Sequence, residues 1–134
     1  MLSDAFRQAV ESEDREALVT ALAEGVRFRS PVVFRTYEGR DLIGTILTEA
    51  AMNVFEDFRY VEQLEDGEVA TLIFTARVGD RKLDGLDMLR FDGDGKVAEL
   101  TVMVRPLSGV NALAEAMGAQ FERLGLTPPQ APGR

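Results

Sequence analysis

The sequence predicts an α+β fold: a cone-like, strongly curved antiparallel sheet with helices packed in its concavity. Three observations predict it. Apolar residues recur at helical spacing in the first half, most clearly over residues 39–55. From Phe58 onward the period switches to two, through successive runs ended by turn dipeptides. A last helical stripe follows the final run, so strands are grouped together rather than alternating with helices as in a parallel sheet.

The bulk properties bound the function. The chain has 134 residues, 46% hydrophobic and 28% charged, an ordinary globular mix and enough for one core. Its 23 acids against 15 bases give a net charge of −8, the wrong sign for meeting nucleic-acid phosphates or an anionic membrane. There is no Cys and no His. That excludes disulfides, Cys or Ser-His nucleophilic catalysis, and His- or Cys-ligated zinc. Acid–base chemistry is left to Asp, Glu, Tyr and Lys. No apolar run reaches membrane-span length, and the first residues lack the apolar core of a signal peptide. The expectation is a cytoplasmic protein with no cofactor and no metal.

The elements follow in order. Residues 3–11 read as a helix capped by Ser3, with Phe6, Ala9 and Val10 on one face. A second helix, 15–23, carries Leu18, Ala21 and Leu22 and ends with Gly25 as its C-cap. Residues 26–30 alternate until Pro31 interrupts, which makes an edge strand or a bend, and 32–34 form a second short extended piece. The main helix over 39–55 buries Ile43, Ile46, Leu47, Ala50, Ala51, Val54 and Phe55, and sends Arg40, Asp41, Thr45, Thr48 and Glu49 outward. Strands are predicted over 58–64, 69–78, 83–91 and 97–104, the last two joined through Asp92-Gly-Asp-Gly95. Ser108 caps a final helix with Val110, Leu113, Ala114, Met117, Phe121 and Leu124 inward, and Gly125 stops it. Residues 1–126 form one domain, and 127–134, with three prolines, a flexible tail.

The run Leu83-Asp-Gly-Leu-Asp-Met-Leu-Arg-Phe91 carries the chemistry. One face of this strand holds Leu83, Gly85, Asp87, Leu89 and Phe91, which sets an acid in an apolar row. A carboxyl there is held by hydrogen bonds or kept protonated by desolvation. It can then donate to a ligand oxygen, or serve only to shape the strand. Around it the inward faces supply an apolar pocket lined by Phe28, Leu47, Phe55, Phe74, Val102 and Val104, with Gly85, Ala76 and Ser30 leaving space. Ser30 and Tyr60 could orient a ligand; Tyr37 is the other phenol. Lacking a base, Ser30 is a weak nucleophile, and both tyrosines read more readily as core-edge residues. The arginines Arg27, Arg29, Arg35 and Arg40 read as solvated surface, while Arg105 could pair with an acid at the pocket rim or across a subunit interface. Gly93–Ala98 matches a loose dinucleotide pattern but is followed by a strand, and Asp92-x-Asp94 lacks the terminal acid of a calcium loop, where Met103 stands. The outer sheet face, with Thr71, Ile73, Thr75, Met88, Thr101 and Met103, suits a sheet-on-sheet homodimer.

With those residues in hand, the order of elements over residues 6–107 resembles the nuclear transport factor two-like superfamily, whose fold is a cystatin-like roll. The superfamily includes ketosteroid isomerases and SnoaL-like, aldol-type polyketide cyclases. Leu83 to Val97 looks like the isomerases' strand-hairpin-strand, in which the acid matching Asp87 is the protonated member of the oxyanion hole. The resemblance implies an apolar small-molecule ligand and an isomerase- or cyclase-like activity on a carbonyl compound, with Asp87 as catalytic acid or hydrogen-bond donor. It also places Ser30 where the isomerases keep their base, Phe6 where they keep the oxyanion tyrosine, and Leu47 where they keep a supporting tyrosine. The alternative is a ligand-binding or dimerisation module that lacks the catalytic base.

Overall fold

The computed structural model describes residues 1–126, and the tail expected over 127–134 lies outside the described residues. Helix α1 (Asp4–Glu11) and helix α2 (Arg15–Ala21) open the chain. Ser3 precedes α1 but does not cap it with its side chain. Its hydroxyl instead donates to Glu65 at 2.6 Å, and Glu65 also accepts from the Leu2 and Ser3 amides. The start of α1 is thereby tied to the end of a strand rather than to its own first turn. The Asp14 carboxylate caps α2 by accepting from the Ala17 amide at 3.0 Å.

Strand β1 (Leu22–Arg29) begins four residues earlier than the alternation predicts, so Gly25 lies inside a strand and is no C-cap. The reason is tertiary. Leu22 pairs with Val97, and the register shifts before Arg27, so residues 23–26 between them are carried by an irregularity in the strand. Strand β2 is Thr36–Glu38, not 32–34; it pairs with β1 through Phe28 and Tyr37.

The main helix runs as α3 (Arg40–Thr45), a π-helical stretch (Ile46–Ala51) and α4 (Met52–Val54). The wider π winding turns Thr48 inward, against the expectation of an exposed position, and its hydroxyl donates to the Gly44 carbonyl at 2.7 Å. Carbonyls of this stretch are taken up by arginines from either side. Arg15 donates to the Thr48 oxygen at 2.5 Å and Arg123 to the Glu49 oxygen at 2.8 Å.

Strands β3 (Glu56–Asp66), β4 (Val69–Val78), β5 (Arg81–Phe91) and β6 (Val97–Arg105) form an antiparallel meander. The β5–β6 turn is closed by the Asp92 carboxylate, which accepts from the Asp94 and Lys96 amides, with Gly95 at φ +75°. Sheet order is β2-β1-β6-β5-β4-β3. The sheet is mixed rather than wholly antiparallel as predicted, because β1 lies parallel to β6. The meander brings β6 back beside β1, inside the edge strand β2, a relation that strand periodicity does not encode. Helix α5 (Leu107–Leu124) ends at Gly125 in the left-handed region, φ +71°. Pro106 occupies the N-cap position that Ser108 was expected to fill. One sheet face, through Leu72, Phe74, Leu89 and Leu100, packs with Ile43, Ile46, Ala50, Leu113 and Phe121 to make the core.

Candidate functional site

The sheet and helices enclose a cavity of about 380 Å³, within the size range of ligand sites. Alternation along β5 turns Asp87 toward it. Asp87 is 7% exposed and Tyr60 of β3 is 4% exposed. The Tyr60 hydroxyl donates to Asp87 Oδ2 at 2.5 Å. Only β4 lies between these residues, in the chain and in the sheet, and they meet across it where β3 changes register between Tyr60 and Glu62.

Burial sets the chemistry of this pair. Loss of water raises the Asp87 carboxyl from 3.8 to about 7, and the Tyr60 hydrogen bond lowers it by less. Burial, then the neighbouring Asp87, pushes the Tyr60 phenol well above its ordinary 10, so Tyr60 stays a donor. Near neutral pH Asp87 is therefore poised between acid and carboxylate. With Oδ2 accepting from Tyr60, the protonated acid keeps one O–H free for a ligand.

The surrounding wall is aromatic. Phe58 stacks on Phe74 with centroids 4.7 Å apart, and Phe55 and Tyr60 meet these rings edge-on. Elsewhere Tyr37 stacks on Phe28 and meets Phe121 edge-on, each at 6.1 Å. Of the residues singled out from the sequence, Phe28, Ser30, Leu47, Phe55, Tyr60, Phe74, Val102 and Asp87 line the cavity. Gly85 and Val104 do not line it. A Cβ on Gly85 would stand 2.3 Å from the Met103 carbonyl oxygen and 2.8 Å from the tip of the Phe74 ring. The space left by this glycine is filled by the protein, not offered to a ligand. Ser30 accepts from the Val32 amide at 2.9 Å, a local turn. Phe6 also lines the cavity and, like Leu47, brings no donor. Arg105 pairs with Asp84 at 3.2 Å and does not reach the cavity lining.

Several lining residues were not singled out from the sequence. Phe58 was read only as a strand end, and Leu113, Met117 and Phe121 only as the core stripe of the last helix. The aromatic density of residues 55–60 was the available signal. Carboxylates also reach the lining, from Glu11, Glu13 and Asp57. Glu13 and Asp57 adopt φ +53° and +52°, unusual for side-chain-bearing residues. Arg77 engages Asp57 at 2.7 Å. No group of acids able to hold a metal occurs among the described residues, and no helix there is long and apolar enough to cross a membrane.

Comparison with known proteins adds to this geometry. A family model described as a SnoaL-like domain matches residues 3–100. A steroid delta-isomerase from Pseudomonas aeruginosa is 39% identical, with a TM-score of 0.86 over 92% of this chain and 90% of that one. A protein with a cystatin-like fold from Silicibacter pomeroyi is 30% identical, with a TM-score of 0.85 over 90% of this chain and 85% of that one. An NTF2-like protein from Mesorhizobium loti, at 20% identity and a TM-score of 0.70 over 78% of this chain and 88% of that one, shares the fold. No curated protein matches the chain.

Proposed function

The chain belongs to the SnoaL-like domain family, and from that premise we propose that it binds an apolar carbonyl compound, with Asp87 as the hydrogen-bond donor to the carbonyl oxygen. One observation carries this reading: a buried carboxyl, raised to about 7, bordering an apolar cavity with a tyrosine fixed behind it. Below that value the neutral acid polarises a carbonyl without bringing a charge into the cavity. Above it, a carboxylate faces the carbonyl oxygen and binding weakens.

A second reading, turnover of the bound ketone, is favoured by the 39% identity to a protein described as a steroid delta-isomerase. Isomerisation needs a base to take a carbon-bound proton. Ser30 stands where the resemblance puts that base, and a hydroxyl held in a local turn cannot serve as one unaided. The binding reading therefore leads.

Both readings are tested with one steroid mono-ketone. Calorimetric titration of wild type and Asp87→Ala at about pH 6 is expected to show roughly a tenfold or greater loss of affinity in the variant. Equal affinity in the two proteins would remove Asp87 from the site. Incubation in deuterated buffer then separates binding from turnover. Exchange of the protons next to the ketone, faster with wild type than with Asp87→Ala, establishes proton abstraction and replaces the first reading by the second.

A further inference from the structure

The Tyr60 ring is also held from outside the cavity. Strand β3 shifts register between Tyr60 and Glu62. In a regular strand residues 60 and 63 face opposite sides of the sheet. The extra residue turns both side chains toward helix α1 and leaves Val61 and Glu62 exposed between them. The Gln63 amide has one orientation there. Its Nε2 donates to Ser3 Oγ at 2.7 Å and to the Asp4 carboxylate, which can only accept, at 3.0 Å. Its Oε1 accepts from Arg7 Nη1, which can only donate, at 2.9 Å. Arg7 Nε donates to Glu11 at 3.2 Å.

So fixed, the Arg7 guanidinium lies over the Tyr60 ring, 5.8 Å from its centroid, within the range in which a cation and a ring attract. Phe58 and Phe74 meet the same ring edge-on. The hydroxyl on that ring is the one that donates to Asp87 Oδ2. A cation over the ring draws electron density from the phenol oxygen and makes its O–H a better donor. Arg7 accordingly opposes the burial that pushes the Tyr60 phenol up, whereas Asp87 and Glu11 add to it. The sheet neighbours of this pair, Leu72 and Phe74 on β4 and Val102 on β6, carry no charge. The other carboxylates at the cavity are Glu13 and Asp57.

Resting on the carbonyl-binding reading above, we infer that Arg7 is a positioning residue for that site: clamped between Gln63 and Glu11, it fixes the Tyr60 ring from outside and strengthens the hydrogen bond that Tyr60 donates to Asp87. Arg7 does not line the cavity and acts only through the phenol. The bonded chain from Glu65 through the fully buried Ser3 to Gln63 and Arg7 thereby does more than anchor α1. It carries the placement of that helix to the acid at the cavity.

Carboxyl NMR titration of Asp87 in wild type, Arg7→Met, Tyr60→Phe and the double variant tests this. Methionine keeps an unbranched side chain beside the ring and removes the charge. Arg7→Met is expected to titrate Asp87 at higher pH than wild type, by on the order of half a pH unit, the size of one cation–π contact near the surface. In the Tyr60→Phe background the same substitution is expected to move Asp87 by less, because the hydroxyl that transmits the effect is gone. An equal or larger shift in that background shows Arg7 acting on Asp87 through space and overturns the inference. An unchanged or lowered Asp87 value in Arg7→Met overturns it as well. Arg7→Gln carries the same expectations should Arg7→Met not fold. These titrations need no ligand. Failure of the steroid mono-ketone to bind wild type would therefore remove the carbonyl-binding reading while the action of Arg7 on Tyr60 is decided on its own.

Discussion

Replacing Asp87 by Asn isolates the buried proton. The amide has nearly the shape of the acid, and its oxygen can still accept from Tyr60, but it does not titrate. In the wild-type fold the carboxyl is raised from 3.8 to about 7. Between these values the folded chain holds the proton and the unfolded chain has released it. Stability therefore falls as pH rises through the window. Above about 7 both states are ionised and the contribution is lost. The slope is about 1.4 kcal/mol per pH unit in the middle of the window, and the total between about pH 5 and pH 8 is on the order of 2–3 kcal/mol.

Urea unfolding at a series of pH values measures this directly. The chain has no Trp, so far-ultraviolet circular dichroism is the suitable signal. The other acids titrate in both proteins and cancel in the difference between them. Asp87→Asn is expected to gain on the order of 2–3 kcal/mol relative to wild type on going from about pH 5 to pH 8, whatever its absolute stability. A wild-type-minus-variant difference that stays flat across this range would mean that Asp87 is ionised well below neutrality. It would remove the physical basis for a neutral donor in the cavity.

Two further substitutions test the surroundings of that acid. Tyr60→Phe removes the hydrogen bond that lowers the Asp87 value, so the carboxyl is expected to titrate at still higher pH and ketone binding to persist further into the alkaline range; carboxyl NMR titration checks it, and a downward move contradicts the assignment. Gly85→Ala is expected to destabilise the fold by about 1–3 kcal/mol, because the added methyl meets the Met103 carbonyl and the Phe74 ring; urea unfolding checks it, and a neutral result would show the strand to be more compliant than the packing implies.

The parts of the fold that were legible are those set by local periodicity. Strand β4 was read at its true bounds, and the buried faces of β4 and β5 follow from parity alone. The Gly125 stop follows from the helix C-cap rule. The misreadings have a common physical origin, since each depends on a partner distant in the chain. Leu22 begins a strand because Val97 is there to pair with it, although the residues around it read as the end of a helix and a glycine stop. Ser3 reads as a cap until Glu65 competes for its hydroxyl. Thr48 reads as exposed on a regular helix. The π winding, with Arg15 and Arg123 taking its carbonyls, turns it inward.

The site divides along the same line. Parity was enough to turn Asp87 inward, since an acid in an apolar row is visible in one strand. Parity does not give register between strands, and register is what brought Tyr60 onto Asp87 and set Phe74 directly opposite Gly85. Those two pairings have opposite consequences for a ligand. The first fixes the Asp87 carboxyl from behind, and the second closes a space that the sequence left open. Tyr37 shows the same dependence in another form. From the sequence its phenol reads as a core-edge residue. Its ring packs against Phe28, Phe121 and Arg35, and its buried hydroxyl has no hydrogen-bond partner among the described residues. The two tyrosines lie on opposite edge strands, β2 and β3, and differ in whether the fold supplies their partner: Asp87 takes the Tyr60 proton, and Tyr37 has none among the described residues.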